Sequence, residues 1–196
     1  AGQRGQAKKR FRRAGKVLFM LRSTYAEISL GSIAHNISLI RSRLKPGTKY
    51  LAVVKANAYG HGMEQVAKRA LETGAEYIGV AFAEEGLRLR RAGIRGNILL
   101  LGATDEAHMD AVIADDLIVT VFAAETLLQL QSHAAALGRT VRVHLKADTG
   151  MNRIGFTSEA DFMEAILLLK SCKNLALDGL FTHFAVSELP DPSFTR

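Results

Sequence analysis

With a single cysteine, Cys172, the 196-residue chain cannot close an intrachain disulfide, and a reducing compartment is the simpler setting for it. Cys172 falls within a predicted helix, where packing accounts for it better than nucleophilic chemistry does. The apolar run Val17 to Leu21 is shorter than a signal-peptide core of about 7–15 residues and far shorter than a membrane span of about 20. No transmembrane segment is expected, and a cytoplasmic location follows. Residues 23–196 also lack a Ser/Gly-rich linker or a low-complexity tract, so nothing marks an internal domain boundary. What the chain does have is apolar content, 48% of its residues, enough for one sizeable core or a large part of a bigger domain.

Acidic residues are missing from the first 22 positions, which hold Arg4, Lys8, Lys9, Arg10, Arg12, Arg13, Lys16 and Arg22. Removing these eight from the formal charge of +7 leaves residues 23–196 with 18 bases against 19 acids, a net charge of −1. The positive charge therefore belongs to the N-terminal segment. Residues 1–22 read as a basic, disordered extension, with Met20 as a natural start and residues 1–19 as an upstream addition. An anion-binding arm or a targeting signal is the competing use of such a segment. Neither nucleic acid nor membrane is expected as a partner.

Beyond the extension, Tyr25 to Leu30 reads as a short strand, and Ser32 as the N-cap of a helix carrying Ile33, Ile37, Ile40 and Leu44 on one face. Pro46-Gly47 ends that helix. A repeating unit follows: a short apolar run rich in β-formers, a polar or glycine-bearing loop, then an amphipathic helix. Strands are expected at Tyr50–Lys55, Tyr77–Ala81, Asn97–Leu101, Leu117–Val121, Val141–Lys146 and Asp178–His183. Helices are expected near Met63–Thr73, Ala83–Ala92, Asp105–Ala114, Ala123–Leu137 and Ser158–Ser171, three of them followed by a glycine suited to a left-handed C-cap. Apolar strands alternating with helices imply an α/β fold with a covered parallel sheet. Periodicity alone does not separate an open sheet from a barrel.

Chemistry gathers at the strand ends. In Ala52-Val53-Val54-Lys55-Ala56-Asn57-Ala58-Tyr59-Gly60-His61-Gly62 a lysine closes an apolar strand, where desolvation favours the free amine that a Schiff base requires. A lysine that snorkels from the sheet end to water is the structural alternative. Dinucleotide binding fails, because Gln65 stands where the third glycine of the fingerprint belongs.

The segment from Ala52 to Gly62 resembles the signature of alanine racemases, in which the lysine carries pyridoxal 5'-phosphate. His144-Leu145-Lys146-Ala147-Asp148-Thr149-Gly150-Met151-Asn152-Arg153-Ile154-Gly155 is similar to a second family stretch, and Gly179-Leu180-Phe181-Thr182-His183-Phe184-Ala185 to a third. The resemblance spans residues 23–189. It implies that Lys55 holds the cofactor and exchanges a proton on the D-enantiomer's face, and that the Tyr59 hydroxyl meets the cofactor phosphate. It implies too that Arg153 engages the substrate carboxylate and the cofactor's phenolic oxygen, a task suited to a planar, permanently charged group. Leu101 would line the cofactor pocket by packing, and His183 would stand beside the ring. Lys146 matches a lysine carbamylated in many members; if it stays cationic it repels Arg153. For Tyr59 the rival reading is an aromatic packed on the following helix, for Arg153 a solvated loop charge, and for His183 a hydrogen-bonded core histidine. The stretch Val186-Ser187-Glu188-Leu189-Pro190 departs from the family's more acidic continuation.

Reactive positions at the carboxyl ends of strands one, five and six fit a (β/α)8 TIM-type barrel better than a single-crevice sheet. Only six of eight strands are counted, which would leave two edges and an inner face uncovered. The resemblance implies that the remainder, with a C-terminal β-domain supplying a catalytic tyrosine across a homodimer, lies outside residues 23–196. Residues 1–196 alone are expected to be unstable and inactive. The expected activity of the parent is interconversion of L- and D-alanine for peptidoglycan precursor supply. A racemase of broader or serine-preferring specificity and a non-catalytic pyridoxal-phosphate binder are the alternatives, and no metal is expected.

Overall fold

The computed structural model describes residues 24–188, 190 and 191, together with the backbone of 11–13 and 16–18. Within the segment expected to be disordered, β1 (Phe11–Arg13) and β2 (Lys16–Leu18) pair antiparallel as a sheet of their own. Met20, and the rest of that extension, lie outside the described residues.

The strand expected at Tyr25–Leu30 does not form. Tyr25 to Ser29 is irregular, and Leu30 already opens α1 (Leu30–Arg41). The cap is Ser29 rather than Ser32: its backbone is extended, and its hydroxyl oxygen accepts the Ser32 N–H at 3.1 Å, three residues into the helix. Ile33 and Ile37 face the core, while Ile40 is 45% exposed.

From there the chain alternates as expected: β3 (Leu51–Val53), α2 (Lys55–Tyr59), α3 (Met63–Glu72), β4 (Tyr77–Val80), α4 (Ala83–Arg91), β5 (Asn97–Leu100), α5 (Glu106–Ala114), β6 (Ile118–Val121), α6 (Ala124–Ala136), β7 (Val141–Lys146), α7 (Glu159–Ser171) and β8 (Leu175–Phe181). All six long-range strands are parallel and lie in chain order, β3-β4-β5-β6-β7-β8. A doubly wound sheet reverses direction at a switch point and puts helices on both faces. A uniform order with right-handed crossovers puts every helix on one side, which is the wall of a (β/α) barrel. Six strands make an arc of that wall, and β3 and β8 each pair on one side only among the described residues.

Strand alternation sorts the side chains. Ala52, Val54, Ile78, Val80, Ile98, Leu100, Val119, Val121, Val143 and Leu145 point outward and join the helix residues in one buried cluster. Cys172 is buried at the end of α7, as packing requires. The outward face of β8 lacks such a cover: Leu177, paired with Val143, is 49% exposed and Leu180, paired with Leu145, is 65% exposed. Among the described residues no helix is long and apolar enough to cross a membrane.

The inward positions are more polar, with Thr120, Arg142, His144 and Lys146 among them. A register shift between β7 and β8 places Asp178 as an extra residue between Leu177, opposite Val143, and Gly179, opposite His144. The bulge turns Asp178 inward, where its Oδ2 meets His144 Nε2 at 2.9 Å and accepts the Tyr77 hydroxyl at 3.2 Å. Gly179 makes the room: a Cβ there would sit 2.8 Å from the His144 ring. Burial raises the Asp178 carboxyl, but hydrogen bonds from His144 and Tyr77 outweigh it and hold the group below its usual range.

Candidate active site

Lys55 stands two residues beyond β3, after Val54, and opens a turn unlike an ordinary helix. Ala56, Asn57, Ala58 and Tyr59 all have φ between +52° and +55°. Four L-residues in succession in left-handed backbone cost about 1–2 kcal/mol each, so the surrounding structure must hold the turn in place. Three contacts to residues outside the turn contribute to this. Ala58 N–H donates to Val54 O at 2.8 Å, the Glu85 carboxylate accepts Ala56 N–H at 2.7 Å, and Asn57 Oδ1 accepts Met63 N–H at 3.1 Å. Asn57 thereby caps α3, because the residue at the N-cap position, Gly62, has no side chain to do it. Lys55 itself is half-buried.

Tyr59 closes the turn and is 64% exposed. Leu101 directly follows β5 and continues the sheet pairing through its N–H to Val80 O at 2.7 Å. Its side chain and that of Leu51 both lie over Gly79, where an added Cβ would be 2.8 Å from Leu51 and 3.1 Å from Leu101. The third strand's end is thus packed toward the first.

Lys146 ends β7 and is 2% exposed, and among the described residues its Nζ has no hydrogen-bond partner. Its ammonium lies 5.5 Å from the centre of the Phe181 ring. Burial lowers its pKa, and Arg153 pushes the same way, while Asp148 opposes them. Arg153 is exposed on the loop after β7, and its backbone is held by Asp148, whose Oδ2 accepts the Arg153 N–H at 3.0 Å. The other oxygen of Asp148 accepts from Gly150 N–H at 2.9 Å and Asn152 N–H at 3.0 Å. Those backbone donors hold the Asp148 carboxyl below its usual range. The loop returns to the sheet through Phe156, which exchanges bonds with Lys146 O and Asp148 N–H. The crossing passes over Gly155, at φ +133°, where a Cβ would stand 2.5 Å from Asp148 N.

His183 lies two residues beyond β8 and is exposed at the open edge of the sheet. The strand expected to end at His183 runs instead from Leu175 to Phe181. Lys55, Leu101, Lys146, Arg153 and His183 therefore all occupy the carboxyl side of the sheet, on or just beyond the ends of β3, β5, β7 and β8. The structure brings Lys146, Arg153 and Asp148 into one electrostatic cluster. Four residues that support the site carried no signal in the sequence reading: Asn57, Glu85, Asp148 and Asp178 each accept hydrogen bonds from residues of other segments or of their own loop.

Comparison with known proteins agrees with this layout. Residues 28–196 match the family model described as alanine racemase, N-terminal domain. The chain is 40% identical over 175 residues to alanine racemase 2 of Oceanobacillus iheyensis, covering 89% of this chain and 44% of that protein. It is 42% identical over 174 residues to the alanine racemase of Ligilactobacillus salivarius, covering 88% and 47%. Among solved structures, alanine racemase of Clostridium difficile 630 superposes with a TM-score of 0.86 at 37% identity, over 90% of this chain and 46% of that one. The histidine racemase of Leuconostoc mesenteroides subsp. sake superposes with a TM-score of 0.79 at 31% identity, over 86% and 45%. The chain thus spans under half the length of these relatives. Within that span, the wall of parallel strands with its lysine at the end of β3 places the chain in the alanine racemase family, as a form of its N-terminal barrel domain.

Proposed function

We propose that residues 23–196 form the lysine-bearing part of a pyridoxal 5'-phosphate-dependent racemase that interconverts L- and D-alanine. The observation that carries the reading is Lys55: a half-buried lysine at a strand end, followed by a strained turn that three contacts hold in place. Strain of this kind persists where function needs a fixed geometry.

The donor set suits the cofactor. Lys55 would hold its carbonyl carbon, Tyr59 its phosphate, and Arg153 its phenolic oxygen and the substrate carboxylate, while Leu101 packs beside it and His183 flanks the ring. When bound, pyridoxal phosphate supplies an electron sink for the pair left on Cα as its proton departs. The chain's own residues do the rest. Lys55 takes or returns the proton on one face, with its amine as the acid/base group. Arg153 would bind the substrate carboxylate and so orient the substrate.

Lys146 is the third element of the fit. A buried amine without a partner, depressed in pKa, is a nucleophile toward carbon dioxide. Its nitrogen bonds to the carbon, one proton leaves, and the carbamate formed carries a negative charge that attracts Arg153 where the ammonium repels it.

The opposing proton-exchanging group, in this reading a tyrosine of a C-terminal β-domain across a homodimer, is not among the residues assigned here. Racemisation, and with it peptidoglycan precursor supply in the cytoplasm, therefore belongs to the whole protein. A second reading, a racemase of another amino acid, is favoured by the superposition on histidine racemase. Titrating the full-length protein with pyridoxal phosphate tests the proposal: a visible absorbance band should form, vanish in Lys55→Ala, and accompany alanine racemisation in preference to serine or histidine. A band unchanged in Lys55→Ala would refute it.

A further inference from the structure

We infer that Glu85 is a positioning residue for Lys55, an inference that rests on the function proposed above for that lysine. Glu85 stands in the first turn of α4, three residues after the N-cap position of Phe82. An acid there ordinarily folds back on its own helix start. Glu85 does so with one oxygen only: Oε2 accepts Ala81 N–H at 2.8 Å, just before the N-cap, while Oε1 reaches away from the helix to accept Ala56 N–H at 2.7 Å. Both bonds are short, as charge-assisted bonds to a carboxylate are.

Their placement matters more than their strength. Ala56 N–H belongs to the peptide plane that begins at the Lys55 carbonyl, so fixing that N–H fixes the rotation of the plane and with it the direction in which the lysine leaves the backbone. The Ala56 N–H lies beyond the sheet pairing, whose last bond from this segment is Val54 N–H to Gly79 O at 2.8 Å, and among the described residues no backbone oxygen accepts it. The partner bond ties the same carboxylate to Ala81, directly after β4, which pairs with β3. Glu85 thereby references the lysine to the neighbouring strand rather than to its own. Asn57 holds the exit of the turn, but it does so by capping α3 and does not touch the lysine's peptide plane.

Glutamine at position 85 keeps the shape and loses the symmetry, since its one carbonyl oxygen accepts one N–H and its amide opposes the other donor. Aspartate keeps the charge but is one methylene too short to reach both. In the full-length holoenzyme, Glu85→Gln and Glu85→Asp are expected to retain the fold and bind pyridoxal phosphate. Both should move the pH midpoint of the lysine-bound absorbance band and lower kcat by about tenfold, with the KM for alanine within about twofold of the parent. Amide exchange at Ala56 should speed up while that at Leu100 does not. Glu84→Gln serves as the control, because Glu84 is 67% exposed and faces His108. If the parent itself forms no band that Lys55→Ala abolishes, the functional reading fails. If the parent forms it and a folded Glu85→Asp keeps the parent's band midpoint, kcat and Ala56 exchange, the positioning role is overturned and the functional reading stands.

Discussion

Replacing Asn57 separates two contributions that the structure superimposes on one residue. Its side chain caps α3 through Met63 N–H at 3.1 Å, and its backbone sits at φ +55°, where asparagine is tolerated better than other residues with a Cβ. Losing such a cap costs about 0.5–2 kcal/mol, with 1 kcal/mol as a central value. Asn57→Gly loses the cap but relaxes the backbone, because glycine enters left-handed conformation freely, so the net loss should stay below about 1 kcal/mol. Asn57→Ala loses the cap and adds roughly 1 kcal/mol of left-handed strain, for a total of about 2 kcal/mol. In a domain of about 150–250 residues, 1 kcal/mol shifts Tm by about 2–4 °C, so alanine should fall about 5 °C below the parent and glycine less than half as far. Scanning calorimetry of the three proteins gives the comparison, and exchange at the Met63 amide reports the cap directly. An alanine variant as stable as the glycine variant would refute the strain, and a glycine variant more damaged than alanine would refute the partition altogether.

Gly155→Ala forces a Cβ to within 2.5 Å of Asp148 N, so the loop carrying Arg153 must move. Steady-state kinetics should show KM for alanine rising while cofactor uptake is retained, with a stability loss of about 2 kcal/mol. The His133 pKa is raised, chiefly by its hydrogen bond to Asp110 at 2.7 Å across α5 and α6. A raised pKa means that the folded state holds the proton more tightly, so this stabilisation is full below the unfolded value of about 6.5 and fades as pH climbs through the folded value. Thermal unfolding at acid and at mildly alkaline pH should therefore differ more for the parent than for His133→Gln; equal differences would exclude the effect.

The elements of the barrel wall were legible because each βα unit states its own period, and β7 runs over the very residues expected, Val141–Lys146. Periodicity alone did not yield the uniform strand order, since apolar strands read alike in an open sheet and in a barrel; the expectation of a barrel came from reactive positions at the ends of several strands. Tyr25–Leu30 misled because alternation over so short a stretch competes with Ser29, whose hydroxyl is better used as a cap. The turn after Lys55 was invisible for a physical reason: alanine, asparagine and tyrosine carry no preference for four successive left-handed residues, and only Gly60 and Gly62 hinted at unusual backbone. Lys146, Arg153 and His183 were found through motif resemblance. Glu85, Asp148 and Asp178 escaped because they bind backbone or neighbours that only folding brings near, and Asp178 needed a bulge to turn it inward.

The bond from Ala56 to Glu85 joins residues 29 apart in the chain. Under the proposed function, a polypeptide emerging from the ribosome displays Lys55 before it holds the carboxylate that fixes the peptide plane after it. Until β4 and the first turn of α4 have been made the amine is present without that acceptor, which Glu85 then supplies. The timing of translation separates the chemical group from its orientation, and a chain halted between Tyr59 and Glu85 would have the one without the other.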